Sequence, residues 1–252
     1  MSDASKTWSY ADYFLKKQDL IDSAMQYWKK YADNPRESDK VLLELVAAAL
    51  PRDGAASLAD VGCFSGNLLY LLKKRLPGLE LTGYDLVERV IAANRANPEL
   101  AGIDFQAADI FQLDPGKRFD VVVTNAVVGT FAELEPALRR IAAMLKPGGT
   151  YVCFDWFHPF PHELEMRETS PVFPHGVFFH FRSYAAVAAL LERCGFTDVD
   201  FRPFDIPIDL PRPDPQGPDA LVSYTVRGED GRRISFKGAI HQPWCHMTAK
   251  KA

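Results

Sequence analysis

The sequence lacks the features that would place it in a zinc-binding, disulfide-stabilised or membrane-spanning class. Its four cysteines are far apart and form no CxxC pair, which is typical of reduced thiols. No apolar run approaches the ~20 residues that span a bilayer. The first residues also lack the basic-then-apolar order of a secretory signal. We therefore expect a cytoplasmic protein with no metal and no membrane partner. The cysteines are Cys63, Cys153, Cys194 and Cys245.

An excess of positive charge is also missing. The 252 residues carry 29 lysines and arginines against 33 aspartates and glutamates, a formal net charge of −4. This mild acidity offers no electrostatic footprint for nucleic acid or for an anionic membrane. With 47% hydrophobic and 25% charged residues the composition is that of a globular protein, and the length favours one α/β domain with additions, or at most two small domains.

The first fifty residues have a helical pattern of apolar residues. One helical run ends at Asn34-Pro35, and a second helix extends from about Asp39 to Leu50, closed by Pro51 and Asp53-Gly54. We expect these residues, 1–52, to form a helical cap. The apolar stripe of the first run consists of Tyr13, Phe14, Ile21, Met25 and Trp28.

From residue 57 onwards, strands alternate with helices. Short apolar runs cover residues 57–61, 79–84, 103–107, 119–124 and 150–154, and helix-like stretches cover 67–76, 87–96 and 134–145. Nearly all-apolar strands that alternate with helices predict a parallel sheet covered on both faces. We expect this core to extend over residues 53–204.

The pattern changes again after residue 154. Residues 155–181 are rich in Phe, His and Pro, and we interpret them as a long loop. Ser183 is a plausible N-cap for a helix over 184–194, and a strand over 198–204 follows. Six prolines in 203–218 exclude a helix or a central strand there. Residues 221–226 and 233–240 predict an antiparallel hairpin, and 244–249 a last strand, within an added segment over 205–252.

The most informative segment is Asp60-Val-Gly62-Cys63-Phe64-Ser65-Gly66, which follows a strand and opens a helix. Glycines at such a turn let the backbone approach a ligand, and the helix N-terminus offers free N–H groups. The next strand ends at Asp85, where an acid can accept hydrogen bonds from both hydroxyls of a ribose. Asp109 follows the third strand, where an acid can meet an adenine amino group.

Two phosphate-binding motifs are absent. Read from Gly62, the dinucleotide fingerprint G-x-G-x-x-G would need glycine at Phe64 and at Asn67, and no Gly-Lys-Ser/Thr sequence occurs. A nicotinamide oxidoreductase is therefore disfavoured. The remaining candidate is a cofactor that carries adenosine but no phosphate.

The order of these segments resembles the successive motifs of the class I S-adenosylmethionine-dependent methyltransferases. The resemblance covers about residues 57–157 and includes Phe119-Asp-Val-Val-Val-Thr-Asn125 and Leu145-Lys-Pro-Gly-Gly-Thr150. It implies a Rossmann-like α/β fold: a doubly wound, mostly parallel seven-stranded sheet, here with an N-terminal helical cap and an added C-terminal β-hairpin. The family usually has glycine at the position of Phe64.

The same resemblance implies which residues bind S-adenosyl-L-methionine and its product S-adenosyl-L-homocysteine. The turn from Gly62 to Gly66 would hold the methionine part, and Asn125 would lie beside the reacting methyl group. Asp85 would bind the ribose, and Asp109 with Ile110 the adenine. The further expected cofactor contacts are Asp60, Cys63 and Leu86.

The N-terminal aromatic residues admit two interpretations. Phe14 is expected to pack on the domain as part of an ordinary helix. Trp8, Tyr10 and Tyr13 belong to a possible lid whose rings favour a positive sulfur by cation–π attraction, and we expect Tyr10 or Tyr13 to touch the cofactor.

The acceptor side of the site is predicted from histidine positions. All six histidines lie between residues 158 and 246, and His158 follows the fifth strand at the edge where ligands bind. We expect His158, oriented by Asp155, to act as a general base.

We favour O-methylation of a small molecule, at a sugar or alcohol hydroxyl or at a carboxylate, which would need no base. N-methylation of a small amine and a non-catalytic adenosyl-ligand-binding protein are the alternatives. The added hairpin offers an edge that can pair with its copy in a homodimer.

Overall fold

A computed structural model describes residues 9–52, 55–114 and 116–252. None of the helices in this part of the chain is both long and apolar enough to cross a membrane. The helices are α1 (Tyr10–Lys16), α2 (Leu20–Tyr31), α3 (Glu37–Ala49), α4 (Asn67–Arg75), α5 (Glu88–Ala96), α6 (Glu135–Met144) and α7 (Tyr184–Arg193). The strands are β1 (Ser57–Val61), β2 (Glu80–Asp85), β3 (Asp104–Ala107), β4 (Phe119–Asn125), β5 (Leu145–His158), β6 (Leu164–Glu168), β7 (Val177–Ser183), β8 (Phe196–Pro203), β9 (Ser223–Arg227), β10 (Arg233–Lys237), β11 (Ile240–His241) and β12 (Trp244–Lys251).

The main sheet has the strand order β3-β2-β1-β4-β5-β12-β8. The strands β1 to β5 are parallel, and β12 runs antiparallel between β5 and β8. This order confirms the doubly wound, mostly parallel sheet with seven strands in sequence across it. Strand β7 pairs with β5 outside this order and β6 pairs with β7, so the sheet has nine strands in all among the described residues. The chain order reverses at β1, which lies between β2 and β4, and in open α/β sheets ligands bind at such a switch point beyond the carboxyl ends of the strands.

Both faces of the sheet are covered by helices. On one face α3 and α4 contribute Leu42 and Leu69 to a buried cluster, and on the other α6 and α7 contribute Ile141 and Leu191. The central strands are nearly all apolar because both of their faces lie in these clusters. A ligand therefore has access only at an edge of the sheet.

The N-terminal region consists of two helices, α1 and α2, instead of one helical run to Asn34. The buried residues of α2 are Leu20, Ala24 and Trp28, while Met25 is 39% exposed. Helix α3 begins two residues before the predicted start at Asp39. Trp8 and the predicted helix stop at Asp53-Gly54 lie outside the described residues.

The prediction of a long loop over 155–181 was wrong. Strand β5 continues to His158, and β6 and β7 form an antiparallel hairpin that pairs with the end of β5. The hairpin forms because Val177, Phe179 and Phe181 alternate along β7 and bury their side chains in an aromatic cluster with Trp156. The Phe, His and Pro composition concealed this period of two.

The added C-terminal hairpin is confirmed and is larger than predicted. Strands β9, β10 and β11 form a separate three-stranded antiparallel sheet. Lys237 of β10 joins it to β6 by an ion pair in which Nζ lies 3.0 Å from Oε1 of Glu168. The added sheet is thus attached to the β6–β7 hairpin.

Asp120 ties three strands together at the amino edge of the sheet, opposite the ligand-binding edge. Its Oδ2 accepts hydrogen bonds from the backbone N–H of Ser57 (2.8 Å), from Ser57 Oγ (2.9 Å) and from Lys146 Nζ (2.7 Å). Burial opposes ionisation, but the hydrogen bonds from Lys146 and Ser57 hold the pKa of Asp120 below its ordinary value.

We expect Asp120→Asn to lower the free energy of unfolding by about 1–2 kcal/mol, because the charge-assisted bonds weaken. The thermal midpoint should fall by roughly 2–8 °C at neutral pH for a chain of this size. A depressed carboxyl pKa contributes stability above the unfolded value and loses it as the pH falls through the folded value. The difference between the two proteins should therefore shrink below about pH 4. Melting curves across pH test this, and equal midpoints at pH 7 would contradict it.

Candidate active site

A cavity of about 520 Å³ lies at the carboxyl ends of β1, β2 and β4. This is within the range of pockets for small molecules and cofactors. Tyr13 and Gly66 are not among the residues that line it. The expected cofactor residues that do line it are Tyr10, Asp60, Gly62, Cys63, Asp85, Leu86, Asp109, Ile110 and Asn125.

The glycine-rich turn between β1 and α4 adopts the left-handed backbone conformation at three positions. Gly62 has φ +81°, Phe64 +43° and Gly66 +76°. A Cβ on Gly62 would lie 2.5 Å from Cγ2 of Val127, so no side chain fits there. Phe64 thus takes the backbone conformation that glycine adopts freely, and the departure from the usual family glycine has not removed the turn.

Phe64 also joins the turn to the N-terminal helices. Its ring centroid lies 5.8 Å from that of Phe14 in α1 and 5.9 Å from that of Tyr27 in α2. Its backbone N–H donates to Oδ2 of Asp85 at 2.9 Å, which fixes the turn against the end of β2. The aromatic ring therefore compensates for a strained backbone by contacts that a glycine could not make.

Two acids face the cavity, Asp60, which is buried, and Asp85, which is partly buried. Asp60 is 2% exposed and its Oδ1 has no hydrogen-bond partner among the described residues. Burial, with the nearby charges of Asp85 and Asp39, raises the pKa of Asp60 to about 8. Burial also raises the pKa of Asp85, although backbone N–H groups of Val87 and Phe64 oppose this. An orphaned buried carboxyl beside a second acid fits a ligand that carries positive charge, as S-adenosylmethionine does.

The N-terminal region supplies site residues that no motif in the sequence had indicated. Arg36 bonds both oxygens of Asp39, at 2.9 and 2.7 Å, and Oδ1 of Asp39 accepts from Nδ2 of Asn125 at 3.1 Å. These contacts join α3 to the end of β4. Arg36 is the only basic side chain among the described lining residues, and Tyr27 also lines the cavity.

Tyr10 and Tyr13 differ in their positions. Tyr10 lines the cavity, and its ring lies 5.8 Å from Phe173 and 5.7 Å from Phe179 of the β6–β7 region. Tyr13 packs on Phe173 at 4.8 Å and does not reach the cavity wall. Of the two, Tyr10 alone is placed to touch a ligand there.

Asp155 and His158 do not form the expected catalytic pair. An odd separation along an extended strand places them on opposite faces of β5. Asp155 accepts hydrogen bonds from the backbone N–H groups of Gly129 (3.0 Å) and Trp156 (2.8 Å), and neither ring nitrogen of His158 has a partner among the described residues. Neither residue lines the cavity. The interpretation of 155–181 as a loop concealed this alternation.

The structure contains no obvious metal centre in the part of the chain that it describes. No group of three or more His, Cys, Asp or Glu side chains is arranged there to hold a metal ion. The described cysteines are free and buried, and burial raises the pKa of Cys63 well above its ordinary value.

Phe64→Gly should release the N-terminal helices from the glycine-rich turn. Glycine removes left-handed strain of about 1–2 kcal/mol but loses two ring contacts worth about 0.5–1.5 kcal/mol each. Overall stability should therefore change little while α1 and α2 lose an aromatic anchor. We expect faster trypsin cleavage at Lys17, between α1 and α2. Phe64→Tyr, which keeps a ring, is the control, and equal cleavage rates for Phe64→Gly and the unaltered protein would disprove the anchoring role.

Comparison with known proteins agrees with this geometry. A family model described as a methyltransferase domain matches residues 28–200. A trans-aconitate 2-methyltransferase of Methylobacterium nodulans is 34% identical over 126 residues, which cover 50% of this chain and 46% of that protein. A ubiquinone biosynthesis O-methyltransferase of Bradyrhizobium diazoefficiens is 33% identical over 101 residues, 39% of each chain. The chain thus spans about half the length, or less, of these curated relatives.

Solved structures show the same fold at low identity. A glycopeptide N-methyltransferase complexed with S-adenosyl-L-homocysteine superposes with a TM-score of 0.58 at 15% identity, over 87% of this chain and 91% of that one. Human N-acetylserotonin methyltransferase superposes with a TM-score of 0.57 at 17% identity, over 92% and 55%. Because the family model covers more than half of the chain and includes the glycine-rich turn and both acids, this protein belongs to the methyltransferase-domain family of class I S-adenosylmethionine-dependent enzymes.

Proposed function

We propose that this protein transfers a methyl group from S-adenosylmethionine to a carboxylate oxygen of a small organic acid. The observation that carries the proposal is the composition of the cavity wall, in which the described residues include Arg36 but no histidine and no lysine. When bound, the cofactor supplies an activated methyl group on a positively charged sulfur.

The chain's own residues would hold the cofactor at the switch point of the sheet. The turn at Gly62 and Cys63 would take the methionine part, and Asp60 would face its positive charge. Asp85 would bind the ribose, and Asp109 with Ile110 would enclose the adenine. Support comes from the fact that these residues line one cavity and that Asp60 has an unused oxygen there.

A carboxylate acceptor suits a cavity wall that has no histidine and no lysine among its described residues. A carboxylate is already ionised and nucleophilic at neutral pH, so its methylation is a matter of position and orientation. The thiol of Cys63 is a poor base because burial raises its pKa, which disfavours the thiolate. Asp39 is already bound to Arg36 and Asn125.

Arg36 can attract an acid into the cavity. A guanidinium has five N–H donors, and Asp39 occupies only two of its nitrogens, Nε and Nη2. The side chain is 31% exposed, so part of it remains accessible. The trans-aconitate methyltransferases, to which this chain is similar, are named for an acid acceptor.

A hydroxyl acceptor deprotonated by His158 is the second candidate. The ring nitrogens of His158 are buried without a partner among the described residues, as in a base that awaits a substrate. Its position outside the cavity wall makes us favour the carboxylate.

Incubation with methyl-labelled cofactor and a panel of di- and tricarboxylic acids, sugars and amines separates the two candidates. We expect label in an acid whose product releases methanol in alkali, as a methyl ester does. His158→Ala should keep kcat within about threefold, because a general base would contribute 10²–10⁴-fold and none is needed.

His162→Ala is the matched control, since its ring lies 5.0 Å from that of His158 and reports general disturbance of the region. Alkali-stable label together with a hundredfold loss of kcat confined to His158→Ala would instead establish hydroxyl chemistry.

A further inference from the structure

The segment over residues 126–132, between β4 and α6, forms one wall of the cavity. Ala126, Val127, Thr130 and Phe131 line it. Val127 packs against Gly62 of the glycine-rich turn, and the ring of Phe131 lies 5.0 Å from that of Phe111, which follows Ile110. The segment thus runs from the methionine end of the proposed cofactor site to its adenine end, and its position sets the width of the cavity.

This segment does not hold its shape by regular secondary structure. Ala126 has φ +59°, an uncommon conformation for a residue with a side chain, and only one short 3₁₀ turn, Val128–Thr130, follows. Backbone in a sparsely populated conformation persists only where its surroundings fix it. The contacts behind the segment are therefore informative.

Asp155 of β5 binds the segment by accepting a hydrogen bond from one of the segment's backbone N–H groups. The carboxylate is 4% exposed, and its Oδ2 accepts from the backbone N–H of Gly129 at 3.0 Å. A Cβ on Gly129 would lie 2.4 Å from Oδ1 of Asp155, so glycine is needed for this approach. Asp155 therefore contacts backbone directly and leaves no room for a side chain between them.

Arg182 of β7 binds the same segment by donating hydrogen bonds to the segment's backbone carbonyl groups. Arg182 is 7% exposed. The Nη1 of its guanidinium donates to the backbone carbonyl of Val128 at 3.2 Å. Its Nη2 donates to the carbonyls of Phe131 and of Ala132, the latter at 3.1 Å. One side chain thus donates to three backbone carbonyl groups of the segment, of which that of Val128 also accepts from the backbone N–H of Phe131 in the 3₁₀ turn.

The two residues are brought together by the pairing of β5 with β7. Phe157 of β5 pairs with Arg182 of β7, and Asp155, two residues earlier, lies on the same face of β5 as Phe157. These two described side chains make no direct ion pair within 4 Å, and the segment lies against both. Burial raises the pKa of Asp155 and lowers that of Arg182, while the charge of each opposes the effect of burial on the other.

We propose that Asp155 and Arg182 are positioning residues that clamp the 126–132 segment against the cofactor, one through backbone N–H and one through backbone carbonyls. The proposal rests on the cofactor site of the proposed function but not on the identity of the acceptor. It also gives the β6–β7 hairpin a role, because β7 carries one half of the clamp. Neither residue touches the cavity, so both act through the segment.

Calorimetric titration with S-adenosyl-L-homocysteine tests the clamp without any acceptor. Asp155→Asn and Arg182→Gln should each raise the Kd roughly tenfold, and the double variant should raise it by about as much as one of them alone. Arg182→Lys, which keeps a charge and donors, should recover part of the affinity. These Kd values do not depend on the acceptor, so they would be the same if the acceptor were not a carboxylate.

Asp120→Asn is the matched control, because it makes the same substitution on the neighbouring strand β4 at the opposite edge of the sheet. It should lower the thermal midpoint but leave the Kd within twofold. If Asp155→Asn does not fold, Gly129→Ala displaces the segment with both charges intact and should also raise the Kd. The clamp would be overturned if the Asp155 and Arg182 variants had lower thermal midpoints but an unchanged Kd. It would also be overturned if the double variant raised the Kd by the product of the two single effects.

Discussion

Two carboxyl groups that face the cavity and have no ion-pair partner among the described residues are the constraint on which this active site depends. Asp60 lies on β1 and Asp85 at the end of β2, both facing the cavity, and the one basic side chain among the described lining residues is already bound to Asp39. Transfer of carboxylates from water into such a site is costly unless a positive charge accompanies them. The site is thus built to be completed by a cationic ligand, and its other features serve to admit and enclose one.

The enclosure is assembled from elements far apart in the chain. The glycine-rich turn provides the floor, and Phe64 attaches the N-terminal helices to it through Phe14 and Tyr27. Arg36 and Asp39 of that region reach Asn125 at the end of β4. The 126–132 segment forms the remaining wall, and Asp155 and Arg182 bind it from behind. A methyl transfer needs little beyond such alignment when the acceptor is already nucleophilic.

Local patterns in the sequence were sufficient to predict the parallel sheet, the glycine-rich turn, the acids near the ends of β1 and β2, and the acid after β3. These patterns are apolar runs, glycines in turns and the residues at strand ends, and each of them is defined by only a few neighbouring residues. The pairing of Arg182 with Val128 and of Asn125 with Asp39 links residues 54 and 86 positions apart, which no local pattern reports. The expected pairing of Asp155 with His158 failed for one reason. Strand β5 extends to His158, and the alternation of side chains along a strand places these two on opposite faces.

Proton release on ligand binding tests the central claim most directly. S-adenosyl-L-homocysteine, whose amino group is cationic, would be titrated calorimetrically at pH 7 in two buffers that differ in ionisation enthalpy. A pKa of about 8 leaves the Asp60 carboxyl mostly protonated in the free protein, and a cation beside it lowers that pKa. Binding should therefore release close to one proton, affinity should rise with pH up to about 8, and Asp60→Asn should abolish the release. Binding without proton release in the unaltered protein would contradict the account.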